Sequence, residues 1–195
     1  MRVAVAGSHG SGKTTLIDDF LDAHPDYAHE QEPYWALVQQ GVVFADGPNV
    51  ADLEEQLSGS IAMILEHRHD SRVIFDRSPI DFLAYLEVIG EQEGTPWAPT
   101  ERLLMRIEEA LGALDLLVFL PLSEPDEIKV RIEYPRLRFA VDRQLKAILR
   151  DDTLDLFSTG LTRVEEIGGT PKRRLALLEK AVAGPPSEPQ PPTGR

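Results

Sequence analysis

Residues 7–14 read Gly7-Ser8-His9-Gly10-Ser11-Gly12-Lys13-Thr14, and this octapeptide decides the fold. It fits the pattern G-x-x-x-x-G-K-S/T without a mismatch. By average residue usage, such a match arises by chance on the order of once in a hundred chains of this length. Before it, Val3-Ala4-Val5-Ala6 reads as a buried strand. After it, Leu16, Ile17, Phe20 and Leu21 share one helical face. A strand, a glycine loop and a helix in that order form a phosphate cradle. Glycines let successive N–H groups converge on an anion, and the new helix adds its N-terminal dipole. Lys13 is then expected on the β- and γ-phosphates and the Thr14 hydroxyl on Mg²⁺. The expected nucleotide-binding residues here are 7–15, from Gly7 through His9, Ser11 and Lys13 to Thr15.

Beyond the loop, the chain reads as one α/β unit. β-like segments recur at 2–6, 27–31, 72–76, 116–120 and 163–167 between helical patterns, which predicts a five-stranded parallel sheet covered on both faces. Asn49 is placed to cap a helix carrying Leu53, Leu57, Ile61 and Leu65. Ser78-Pro79 starts another, with Asp81 favouring its dipole, and Thr100 opens a third. Residues 94–99 read as a surface loop, and the Pro-rich stretch 185–195 as a disordered tail behind a domain of residues 1–184. The apolar faces at 50–68 and 79–90 could pair across a homodimer or serve as core.

Composition narrows the partners. Twenty basic against 33 acidic residues give a net charge of −13, which repels nucleic acid and anionic membranes. Cysteine is absent, so disulfides, thiolate metal sites and thiol catalysis are excluded, and a reducing compartment fits. The first strand starts almost at Met1, and no apolar run spans a bilayer, so the expectation is a cytoplasmic protein without a membrane partner.

Further constellations sit at predicted strand ends, where ligands gather in open α/β sheets. Val73-Ile74-Phe75 runs into Asp76-Arg77-Ser78. Asp76 is a candidate for the Mg²⁺ shell and Arg77 for gripping a phosphate or acceptor; the bland alternative is a solvated pair. Glu32-Pro33, followed by Tyr34 and Trp35, offers a general base beside a stacking wall, or an ordinary strand exit with core aromatics. Lys129, Arg131, Arg136, Arg138 and Arg143 invert the local charge around Pro135. They read either as a mobile lid over the phosphates, about 123–140, or as a solvated helix face. Gly169-Thr170-Pro171 follows the fifth strand as an adenine-side loop or a plain turn.

Taken together, Gly12-Lys13-Thr14, Asp76-Arg77-Ser78 and the arginine segment resemble the P-loop nucleoside and nucleotide kinase superfamily, over roughly residues 1–183. The chain is most similar to small bacterial AAA-type P-loop kinase-like proteins, a group that includes ribosylnicotinamide kinase-like domains. The resemblance implies a P-loop NTPase three-layer sandwich with a lid. It further implies that Asp76 positions Mg²⁺ or the acceptor and that Arg77 holds the acceptor or its phosphate. Glu32-Pro33 with Trp35 is similar to the Glu-Pro-x-x-Trp element of deoxynucleoside kinases, whose glutamate is the base. Here the tryptophan stands closer, and Asp76 replaces a glutamate. Gly169-Thr170-Pro171 resembles the superfamily's adenine-side loop, and no Asn-Lys-x-Asp guanine motif is present, which favours ATP. The expected activity is phosphoryl transfer from Mg-ATP to a small acceptor, a nucleoside or nucleotide first and an antibiotic or other metabolite next. Catalysis is expected from Lys13, Asp76 or Glu32, Arg77, and one or more of Arg131, Arg136 and Arg138. An ATP-dependent regulator acting on a protein partner is the alternative.

Overall fold

A computed structural model describes residues 1–123, 132–157, 160 and 162–184. The segment with Lys129 and Arg131, and the tail 185–195, lie outside the described residues. Five strands form one sheet: β1 (Arg2–Ala6), β2 (Ala28–Glu30), β3 (Val73–Asp76), β4 (Leu116–Phe119) and β5 (Arg163–Glu166). Their order is β2-β3-β1-β4-β5, and every pairing is parallel. Helices α1 (Lys13–Ala23), α2 (Pro33–Gln39), α3 (Val50–Glu66), α4 (Pro79–Gln92), α5 (Glu101–Gly112), α6 (Pro135–Asp151) and α7 (Pro171–Ala183) connect and cover them. All five expected strands are present, some shorter by a residue at an end, and the α/β sandwich expected from the sequence is the observed fold.

The strand pattern divides the core. Val3 and Val5 point to one face, where Leu16, Ile17 and Phe20 of α1 and Leu178 of α7 pack with Ile74, Leu116 and Val118. Ala4 and Ala6 point to the other, under α3, α4, α5 and α6, with Phe75, Leu117 and Phe119. A strand buried on both sides has to be apolar at nearly every position, as β1 and β4 are. The apolar residues at 53, 57 and 61 and those of α4 are therefore buried within the chain's own core.

Two local signals act as the sequence predicts. The Asn49 side chain accepts from Asp52 N at 3.0 Å to cap α3, and Thr100 Oγ1 accepts from Leu103 N at 3.3 Å to cap α5. Two others differ. Pro33 starts a short helix, so Glu32 is the cap of α2 rather than a plain strand exit. Pro135 opens the 17-residue α6 instead of interrupting the segment, because a first-turn proline gives up only an N–H that has no helical partner. Leu137, Val141, Leu145 and Ile148 then bury one stripe of that helix. Arg136, Arg138 and Arg143 ride on an ordered helix, and only the preceding half of the expected lid falls outside the described residues.

Candidate active site

The carboxyl ends of β1 and β3 lie side by side, with Val5 in register with Asp76. This brings the glycine loop after β1 and the Asp76-Arg77-Ser78 turn after β3 to one edge. Gly12 sits at φ 94°, a left-handed conformation that side chains disfavour, immediately before Lys13 enters α1. Residues Gly10, Gly12, Lys13, Thr14 and Thr15 line a cavity of about 280 Å³ together with His9, Glu32, Asp76 and Arg77.

Lys13 is buried, and its Nζ donates to the carbonyls of Gly7 (2.8 Å) and Ser8 (3.2 Å). Burial, with the Arg77 charge behind it, brings its pKa down to about 8, against the pull of Asp81, Asp76 and Glu32. The Thr14 hydroxyl donates to Asp76 Oδ2 at 3.4 Å, while Asp76 Oδ1 is buried without a hydrogen-bond partner among the described residues. An orphaned carboxylate oxygen beside a threonine hydroxyl is the hard-oxygen donor pair that Mg²⁺ takes alongside phosphates, so these two residues fit the ion. Among the described residues no cluster of three or more His, Cys, Asp or Glu side chains could hold a metal unaided.

Arg77 is also buried, at φ 81°, with its Nε hydrogen-bonded to Glu32 Oε1 and its Nη1 3.7 Å from Asp81 Oδ1. Its guanidinium lies over the rings of Tyr85 (5.5 Å) and Phe82 (5.9 Å). Burial pushes the Glu32 carboxyl up, but Arg77 and Lys13 together outweigh it and hold it below its ordinary value. Glu32, Arg77 and His9 also line a second cavity, of about 210 Å³, whose walls are Leu53, Phe82, Tyr85, Tyr134 and Leu137, with Gln56 and Glu133 as further polar groups. Glu32 and Arg77 thus stand at the junction of a polar phosphate cradle and an apolar chamber.

The remaining sequence candidates distribute unevenly. Arg138 is buried and donates to the carbonyls of His9 (2.8 Å) and Gly10 (3.1 Å); it lines the second cavity. Arg136 is exposed and lines neither cavity. Arg131 lies outside the described residues. Gly169-Thr170-Pro171 leads into α7 and reaches the loop through Arg174, which joins Gly169 O to Ser11 O. Ser8 and Ser11 are buried with hydroxyls that lack hydrogen-bond partners among the described residues. The aromatics after Glu32 do not form the chamber wall: Trp35 is 54% exposed, and Tyr34 stacks on Phe44.

Three residues that hold the site were not singled out as such from sequence. Asp81, fully buried, accepts Gly7 N at 2.8 Å and both Ser78 N and Ser78 Oγ at 2.9 Å, tying the first loop glycine to the start of α4. Burial pushes its carboxyl up, with Arg77 and Lys13 opposing. Tyr85 Oη accepts His9 N at 3.1 Å. Arg174 is the third. Only Asp81 carried a signal, as the acid in the first turn after Ser78.

The family model described as the AAA domain matches residues 2–166. No curated protein matches the chain. Among solved structures, deoxyadenosine kinase from M. mycoides with bound dATP superposes with a TM-score of 0.60 at 13% identity, covering 94% of this chain and all of that one. Thymidylate kinase from Candida albicans gives 0.59 at 16% identity, covering 93% and 90%. The NadR protein in complex with NAD and AMP-PNP gives 0.61 at 15% identity, covering 96% of this chain but 51% of that one. At these identities the likeness shows a shared nucleoside- and nucleotide-kinase fold.

Proposed function

The chain belongs to the AAA domain family, and from that premise we propose that it is a P-loop phosphotransferase carrying the γ-phosphate of ATP to a small-molecule acceptor. The observation that carries this is the position of Glu32 and Arg77, shared by the phosphate cradle and the apolar chamber. The kinase fold of the solved neighbours supports the same reading.

In this reading, Lys13 and the loop amides of Gly7 to Thr15 hold the triphosphate, with Gly169-Thr170-Pro171 on the adenine side. Thr14 and Asp76 would hold Mg²⁺, which supplies charge neutralisation at the phosphates. An acceptor ring lies against Phe82, Tyr85 and Tyr134, with its hydroxyl at Glu32. Glu32 takes the hydroxyl proton as the oxygen bonds to the γ-phosphorus, and the bond to the bridging β–γ oxygen breaks to release ADP. Arg77 and Arg138 balance the charge on the transferring group, with Arg131 and Arg136 as further lid candidates. Because Arg77 is already matched by Glu32 and Asp81, an uncharged hydroxyl acceptor, a nucleoside before a nucleotide, fits this chamber best.

The test is ADP release from Mg-ATP across pooled nucleosides, nucleotides, vitamins and aminoglycosides, with Lys13→Ala as the blank. We expect stimulation by one pool, with nucleosides exceeding their monophosphates, and its loss in the variant. ATP binding without stimulation by any pool would overturn the kinase reading in favour of a regulatory ATPase with a protein partner.

A further inference from the structure

The phosphate loop is held from its carbonyl side by an unbroken series of cations. Lys13 takes Gly7 O and Ser8 O, Arg138 takes His9 O and Gly10 O, and Arg174 Nη1 takes Ser11 O at 2.5 Å. Five successive carbonyls accept from three helices. Of these cations, Lys13 and Arg138 line the cavities, whereas Arg174 lines neither.

Its location is not one that helix stability favours. Arg174 N bonds to Thr170 O, so the residue sits in the first turn of α7, behind Lys172 and Arg173. That end of a helix carries positive dipole charge and disfavours cations. Arg174 is nevertheless 3% exposed, and it spans from Gly169 O (2.7 Å) to a residue 163 positions away. What it grips explains the placement. The Ser11 carbonyl and the Gly12 N–H belong to one planar trans peptide, so fixing the first fixes the direction of the second. Gly12, at φ 94°, is itself a glycine pivot between that peptide and α1.

We propose that Arg174 is a positioning residue for the donor nucleotide: it locks the Ser11–Gly12 peptide from outside, presets the Gly12 N–H for a phosphate oxygen, and couples that amide to the Gly169 loop. The inference rests on the reading that the loop binds ATP. It acts on nucleotide affinity and leaves the acceptor side and the chemical step alone.

The experiment is calorimetric titration of the full-length chain with Mg-ATP, alongside steady-state kinetics with the acceptor. Arg174→Gln should weaken ATP binding about 10- to 100-fold, the range typical of outer groups that orient a ligand's direct contacts. The kcat at saturating ATP should stay within about threefold of wild type, since the preset amide is an equilibrium term. A merely structural arginine would behave oppositely, lowering the active fraction and kcat while the folded molecules bound ATP normally. Arg163→Gln, which changes a half-buried arginine of β5 that bonds Ala181 O, should bind ATP like wild type. Wild-type affinity in a folded Arg174→Gln would overturn the proposal while leaving the ATP-binding reading intact. Should that variant not fold, Arg174→Lys decides on the same criterion. A wild-type chain that does not bind Mg-ATP would overturn both.

Discussion

Two carboxylates, Glu32 and Asp76, line the glycine-loop cavity, and their surroundings differ. Glu32 is paired with Arg77 and opens on the apolar chamber; Asp76 is paired with Thr14 and keeps an orphaned oxygen. Glu32→Gln keeps an acceptor for Arg77 but removes the proposed base, so kcat should fall about 10²- to 10⁴-fold, the usual worth of general-base catalysis. ATP affinity should stay as it was. Asp76→Asn should instead raise the Mg²⁺ concentration needed for half-maximal rate. Steady-state rates with Mg²⁺ and acceptor varied independently separate the two, and an equal kcat loss without a Mg²⁺ effect in Asp76→Asn would reverse the assignment. Glu32, Asp76 and Arg77 were legible as candidates because each sits at the end of a predicted strand, and parallel topology sends such ends to one edge. Which of the two acids to propose as the base was not legible, since the proposal rests on the pairing of Glu32 with Arg77, 45 positions away. Asp81 and Arg174 escaped for the same reason: their loop partners are 74 and 163 positions away.

Helix α4 is buried on nearly every side from Pro79 to Gly90, and it carries Asp81 and Tyr85 to the loop. Its sequence, apolar on most sides, suits a helix sunk in the core, which is one of the two readings the sequence allows for the 79–90 face. Leu83 is fully buried there, so Leu83→Ala should cost about 2–5 kcal/mol in urea unfolding, whereas Val43→Ala at a 91% exposed position should cost almost nothing. The opposite edge of the sheet is tied by Arg2 and Asp115, which joins the starts of β1 and β4 with Nη2–Oδ1 at 2.8 Å and the Arg2 N–H on Oδ2 at 2.7 Å. Burial pushes the Asp115 carboxyl up, but hydrogen bonds and charge from Arg2 outweigh it and leave it below its ordinary value. A depressed carboxyl binds its proton more weakly when folded, so its stabilisation is present above the unfolded pKa and is lost as pH falls through the folded one. Asp115→Asn should therefore lower stability by about 1 kcal/mol or less at neutral pH, because both side chains are partly open to solvent. The gap to wild type should close in strong acid. A gap that persisted there, in melts run at stepped pH, would mean that packing rather than charge is what the substitution removes. In α6 the four-residue spacing of Leu137, Val141 and Leu145 marks the buried stripe that follows Pro135, whereas the sequence reading weighed only the charges there.

A molecule of net charge −13 that gathers Lys13, Arg77, Arg138 and Arg174 around one loop concentrates its scarce cations against its own field. The excess acid repels itself across the surface, a cost that salt screens as the Debye length shrinks from about 30 Å near 0.01 M to about 3 Å near 1 M. The buried cations are already neutralised at short range by carbonyls and by Glu32, Asp81 and Asp76, which salt screens far less. The thermal midpoint of the unliganded chain should therefore rise with added NaCl. Mg-ATP should raise it further by mass action: at about 100 times its dissociation constant a ligand adds about 2.7 kcal/mol. In a chain of this size that corresponds to about 5–10 °C. Lys13→Ala, which keeps the core and the net acidity but loses the loop's cation, should show the salt response and lack the nucleotide response. Scanning fluorimetry over salt with and without Mg-ATP reads both effects in one experiment. A midpoint that fell with salt would show that surface ion pairs such as Arg150–Glu166 outweigh net repulsion. A nucleotide shift retained in Lys13→Ala would place the triphosphate somewhere other than the glycine loop.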